Sequence, residues 1–245
     1  MSLSAEAPFP GARSVRGWLI APAKNSARAI SDSALSSASM RRCGTASYWP
    51  PSGVVRYPQT MRTQAPGQSS LLFLDVAQIL MSKKIPYAVV GALAAAVHGE
   101  VRGTTDADAL LYVALHRLEA LRTAFERAGI QTELRFGDYK DPIPAMLILQ
   151  DSHENTVELL AGLRGMDPDA FTRTTTVPFQ GDTLQMIGRE DFIAMKCFAG
   201  DPQDIADARA ALQRRDAATD LDLLRRLTRR FGRAATDVLE SRLSP

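Results

Sequence analysis

The chain has 245 residues and a formal net charge of +2, and these totals conceal two unlike parts. Residues 1–70 carry 13 of the 17 serines, half of the 14 prolines, both tryptophans and eight Lys or Arg against two acids; the rest holds 21 basic and 25 acidic residues, so the local charges are +6 and −4. No run of about 18 apolar residues occurs, which argues against a helical membrane span, and two cysteines, Cys43 and Cys197, give no disulfide framework and point to a reducing compartment, by default the cytoplasm.

Positions 1–70 alternate small Ser/Ala/Gly/Pro clusters with isolated arginines and follow neither a helical nor a strand period. Such a stretch buries too little surface to offset its ordering entropy, so a disordered leader is expected there. Three readings compete for it: a transit peptide, a basic tail that touches nucleic acid, or coding sequence upstream of a native start at Met61 or Met81. The abrupt onset of an amphipathic pattern at Leu71 favours the third.

From Leu71, the apolar residues Leu72, Val76, Ile79 and Leu80 recur at helical spacing up to Lys83 and Lys84. Positions 86–91 read as a buried strand that runs into a small-residue helix over 92–98, closed by Gly99. A second strand is expected over 106–113, a helix over 116–128, and strands over 131–136, 145–150 and 156–160. Short strands at 177–179 and 183–187 flank the turn Gln180-Gly181-Asp182 as a hairpin. Helices follow at 190–198, at 202–213 with Asp201 as cap and Pro202 at its first position, at 219–229 and at 234–243. Strands and helices alternate early and helices dominate late. The expected fold is α/β (α+β), a mixed β-sheet flanked by helices, divided into the leader 1–70, a catalytic core 71–200 and a C-terminal helical subdomain 201–245.

The stretch with most chemical content runs from Gly91 to Asp108. Alternation places Asp106 and Asp108 on one strand face, about 7 Å apart along it. Two carboxylates that close repel unless a cation lies between them, and Mg²⁺ is satisfied by one or two carboxylates plus waters and phosphate oxygens. Taken alone, Asp-x-Asp is as readily a solvated strand end, but here the apolar run 109–113 follows directly. Gly91, at a strand-to-helix junction, permits close backbone approach, and the free N–H groups of the helix start form an anion site. Glu158 points away from the face of Val157 and Leu159 and is either a third metal carboxylate or a salt-bridge partner. Three carboxylates would support two-metal displacement at phosphorus. Lys196, in an apolar helix followed by the acid-rich segment 201–207, is a candidate phosphate ligand; a pairing with Asp204 or Asp207 that pins two helices is compatible with that role, since it would also orient the ammonium. His98, on an alanine-rich face, reads as a packed histidine.

These residues resemble the nucleotidyltransferase superfamily with the polymerase-beta-like fold, especially its minimal and AbiE-type toxin branches. The resemblance rests on Gly91-Ala92, thirteen residues, then Asp106-Ala-Asp108, with Lys196 ahead of Pro202-Gln-Asp204 and Asp207, and covers roughly 71–212. It implies metal-dependent transfer of a nucleoside monophosphate from an NTP to a hydroxyl. Asp106, Asp108 and Glu158 would bind Mg²⁺, Gly91 and Ala92 would meet the triphosphate, and Lys196, with Asp204 and Asp207, would take part in nucleotide binding. Ala92 departs from the usual serine or glycine, and Glu158 from the usual aspartate. Arg225, Arg226, Arg229, Arg230 and Arg233 either form a solvated helix face or track a phosphate backbone, which would let RNA or tRNA serve as acceptor; a protein hydroxyl and a small molecule are the other admissible acceptors, and an antitoxin partner is a further expectation. The alternative from another class is a catalytically silent relative that binds a nucleotide or a partner chain.

Overall fold

The computed structural model describes residues 61–101, 103–214 and 219–243, so most of the expected leader lies outside the described residues. Its last residues belong to the fold. Arg62 pairs with Asp75 at 3.1 Å and with Asp182 at 2.9 Å, and helix α1 runs from Ser69 to Ser82. Residues 61–70 are thus anchored to the sheet and α1 by polar contacts, which leave no trace in hydrophobic periodicity.

After α1 come β1 (Tyr87–Val89), α2 (Gly91–His98), β2 (Asp106–Leu111), α3 (Leu118–Arg127), β3 (Gln131–Phe136), β4 (Ala145–Gln150) and β5 (Thr156–Leu160). The hairpin β6 (Thr175–Phe179) and β7 (Asp182–Met186) follows, then α4 (Arg189–Ala199), α5 (Pro202–Gln213), α6 (Leu221–Arg230) and α7 (Arg233–Leu243). The expected elements are present with shifted ends, and a 3₁₀ turn at Pro168–Thr172 is added. Gly91 opens α2 rather than closing β1, and Gly99 caps α2 at φ +125°. Asp201 stands at the start of α5 but its side chain makes no capping bond; Pro202 has already removed one of the N–H groups that a cap would serve.

The seven strands form one mixed sheet in the order β3-β4-β5-β2-β1-β7-β6, the mixed α/β architecture expected. β2 runs parallel to β5 and β1 parallel to β7; the other neighbours are antiparallel. Strand alternation then divides the side chains between two layers. Ala107, Ala109, Leu111, Val157 and Leu159 join Leu72, Val76 and Leu80 of α1 and Leu121 and Phe125 of α3 in one core. Leu110 and Leu160 face the opposite way, into a second core with Phe192 and Met195 of α4, Ala208 and Ala211 of α5, Leu224 of α6 and Leu239 of α7. The C-terminal helices therefore cover part of the sheet's second face. Among the described residues, no helix is long and apolar enough to cross a membrane.

Candidate active site

On that second face, the strand ends turn from apolar to acidic. Asp106 and Asp108 precede Leu110 on β2, and Glu158 precedes Leu160 on β5. The parallel register pairs Asp106 with Thr156 and Asp108 with Glu158, so the three carboxylate-bearing positions share one face of adjacent strands. All three side chains are partly exposed. Thr104 donates from Oγ1 to Asp106 Oδ1 at 2.8 Å, which restrains that carboxylate at the mouth of the strand.

Gly91 joins this pair of strands to a helix start. Val90 N–H donates to the Asp108 carbonyl at 2.9 Å, which locks the end of β1 alongside Asp108. The chain then turns into α2 with Gly91 at φ +61°, and a Cβ there would collide with Asp108 Oδ2 and stand 2.9 Å from its Cγ. Glycine is thus required twice, by the backbone angle and by the carboxylate packed against it. Val90 at the N-cap makes no side-chain capping bond, and the first N–H groups of α2, at Gly91, Ala92 and Leu93, form the positive end of a helix beside Asp108. Ala92 is buried and offers only its N–H.

Across the sheet, Ile148 of β4 separates Glu158 from Glu133 of β3 in the register. Arg135 binds Glu133 at 2.6 Å, and its guanidinium is held in the charged form first by that hydrogen bond, against burial, with a smaller pull from Glu158. Among the described residues, no three His, Cys, Asp or Glu side chains are gathered closely enough to hold an ion by themselves. The donors that do share this face are all carboxylate oxygens, which suits a hard cation such as Mg²⁺, one that needs only one or two carboxylates beside waters and phosphate oxygens.

Lys196 belongs to a separate arrangement. It is 1% exposed and lies between Asp204 and Asp207, with Nζ at 2.7 Å from each carboxylate and 5.5 Å from the centre of the Phe192 ring. Burial pushes Asp204 above the usual carboxylate range; Lys196 pulls it down and Asp207 pushes it up further. Gln203 adds a bond from Nε2 to Asp207 at 3.0 Å. In this geometry the lysine pins α4 to α5, the pairing that the sequence left open. The phosphate contact implied by the resemblance would require Lys196 to leave two buried carboxylates.

His98 accompanies the packing as expected: its Nε2 is 2.9 Å from the Ile187 carbonyl and its ring lies 4.9 Å from that of Phe192. Several of the C-terminal arginines are engaged within the chain. Arg225 binds Glu240, Arg230 donates to the Gly165 and Met166 carbonyls, and Arg233 pairs with Asp237. No pattern in the sequence points to Thr104 or to Ser69, whose hydroxyl accepts from Thr156 N–H at 3.0 Å and donates to the Thr105 carbonyl at 2.6 Å.

No protein-family profile and no curated protein matches the sequence. Solved structures do. The antibiotic-resistance factor ANT(2'')-Ia, determined in solution, is 13% identical over 71% of this chain and 95% of its own, with a TM-score of 0.47. A nucleotidyltransferase-like antigenic protein from Paracoccidioides brasiliensis is 16% identical over 71% and 86%, with a TM-score of 0.43. The lincosamide antibiotic adenylyltransferase LnuA, bound to lincomycin, is 13% identical over 62% and 99%, with a TM-score of 0.40.

Proposed function

We propose that the chain is a Mg²⁺-dependent nucleotidyltransferase that moves a nucleoside monophosphate from an NTP to a hydroxyl acceptor. The observation that carries this reading is the placement of Asp108 against Gly91 at the start of α2, with Asp106 on the same strand face and Glu158 at the paired position of β5. A helix start that attracts anions and a carboxylate face that attracts cations have one common ligand, a metal-bound polyphosphate. The α2 N–H groups would bind the triphosphate, and Asp106, Asp108 and Glu158 would hold Mg²⁺. When bound, the cation supplies charge neutralisation at the reacting phosphate. The acceptor oxygen bonds to the α-phosphorus, the bond to the pyrophosphate oxygen breaks, and a carboxylate of this face takes the hydroxyl proton. Lys196, Asp204 and Asp207 support this site by fixing α4 on α5.

The acceptor is RNA (including tRNA) or protein, the setting the cytoplasm, and a toxin with a cognate antitoxin the context that the AbiE-like pattern favours. A catalytically silent nucleotide- or partner-binding protein is the second reading, favoured by Ala92 and by the sequestration of Lys196. Incubation with each α-labelled NTP, Mg²⁺ and total RNA or protein separates the two. Transfer that Asp106→Ala abolishes supports the enzyme, and absence of transfer with every acceptor supports the binder. Wild-type transfer by Asp108→Asn would sink the metal assignment.

A further inference from the structure

The two strands that carry the acids are parallel and are not joined by a hairpin; α3, β3 and β4 intervene. No tight turn therefore fixes their mutual register. A slip of one residue would set Asp108 opposite Val157 or Leu159 and turn Glu158 to the other face. Besides the ladder between the strands, a hydroxyl from outside the sheet bridges the ends at which the acids sit. Ser69 Oγ donates to the carbonyl of Thr105, the residue before Asp106, and accepts from the N–H of Thr156, the residue paired with Asp106. Ser69 is 3% exposed, so water does not readily replace it.

Ser69 is itself held. Gln68 N–H donates to Asn155 Oδ1 at 2.6 Å, and Asn155 Nδ2 donates to the Ala65 carbonyl at 3.0 Å and to Asp151 Oδ2 at 2.8 Å. Burial raises the Asp151 carboxyl, but hydrogen bonds from Thr63, Asn155 and His153 together bring it below its ordinary value, so it remains the charged acceptor of this clasp. Arg62 ties the same segment to α1 and β7. The segment 61–69 thus grips the turn before β5 and delivers the Ser69 hydroxyl between the two strand ends.

We infer that Ser69 is a positioning residue for the carboxylates of β2 and β5, acting by holding the starts of the two strands in register; the inference rests on the nucleotidyltransferase reading of that face. Loss of its oxygen leaves the Thr105 carbonyl and the Thr156 N–H without a shared partner, and both strand ends loosen where Asp106 and Glu158 stand.

The probe is Mn²⁺, counted by electron paramagnetic resonance, alongside amide hydrogen exchange at Thr156. Ser69→Ala is expected to weaken Mn²⁺ binding about tenfold and to speed Thr156 exchange at least about tenfold. Ser69→Thr, which keeps the hydroxyl, restores affinity to within about threefold. Thr228→Val, which removes a buried hydroxyl bonded within α6, leaves Mn²⁺ affinity unchanged. If Ser69→Ala does not fold, Ser69→Cys, close in size but weak in hydrogen bonding, reads the same effect. Wild-type affinity in the Ala or Cys variant overturns the role of Ser69 alone, as does equal weakening by Thr228→Val. Wild-type protein that binds no Mn²⁺ overturns the transferase reading and this role with it.

Discussion

Replacing Gly91 by alanine separates two demands that the structure makes at one position. The first is conformational: φ is +61°, where an L-residue costs about 1–2 kcal/mol. The second is steric, since the new Cβ meets the Asp108 carboxylate. A carboxylate is the mobile end of a side chain and can swing aside, so the collision adds less to the loss of stability than to the loss of alignment. Gly129→Ala is the control. Gly129 has φ +83° and nothing within 4 Å of where its Cβ would be, so it carries the conformational cost alone. Both variants are expected to melt about 2–8 °C below the wild type, the shift that 1–2 kcal/mol gives at this size. Only Gly91→Ala should lose function, about 10²-fold in label transfer for a carboxylate displaced by about 1 Å, with weakened Mn²⁺ binding. Circular dichroism melts and Mn²⁺ titrations of the two proteins provide the comparison. Equal Mn²⁺ affinity and transfer in both would refute the argument that Asp108 is seated by the missing side chain of Gly91.

The buried charges and the polar contacts of residues 61–70 set further outcomes. A protein beginning at Met61 keeps the contacts of Arg62 and Ser69 and should melt within about 2 °C of the full chain; one beginning at Leu71 leaves Asp75 buried without Arg62, at a cost on the order of 2–4 kcal/mol, and differential scanning calorimetry distinguishes them. Lys196→Met strands Asp204 and Asp207 and should lower stability in urea by about 3–5 kcal/mol at neutral pH. Burial already raises the Asp204 carboxyl and Lys196 pulls it down, so without the ammonium it rises further; the folded variant then binds a proton that the unfolded chain releases, and the deficit shrinks as pH falls from 7 toward about 4, whereas a pH-independent deficit would contradict the assignment. Burial pushes the Cys197 thiol up to about 12, so at pH 8 roughly one molecule in 10⁴ carries the thiolate there. Peptide mass spectrometry after alkylation should find Cys197 unmodified in the native protein and modified in urea.

The strands were legible because each has a side-chain period of two and a buried face. Ala107, Ala109 and Leu111 alternate with Asp106, Asp108 and Leu110, and that contrast alone places the acids together on the side away from α1. Gly91 was legible as a tight strand-to-helix turn, since the passage from an apolar strand into an alanine-rich helix suits a residue free in φ, and its φ is +61°. Lys196 was not decidable in the same way. Its helix buries Phe192, Ile193, Ala194, Met195 and Cys197, which leaves no polar stripe to say where a charged residue points. Only the docking of α5, which brings Asp204 and Asp207 to it, settles that the ammonium lies inside.

Ser69 shows a different limit. Periodicity reports which residues enter a core, and the first of those on α1 is Leu72. A hydroxyl that bridges two strand ends has no partner in its own neighbourhood of the sequence: the residues it joins are 36 and 87 positions away. The same holds for Gln68 with Asn155 and for Arg62 with Asp182. A sequence can thus disclose the acids of this face while saying little about what aligns them, because the acids are fixed by local alternation and their alignment by long-range polar contacts. That asymmetry locates the vulnerable points of the site: substitutions at Ser69 or Asn155 leave every carboxylate in place and still disturb the geometry on which any shared ion depends.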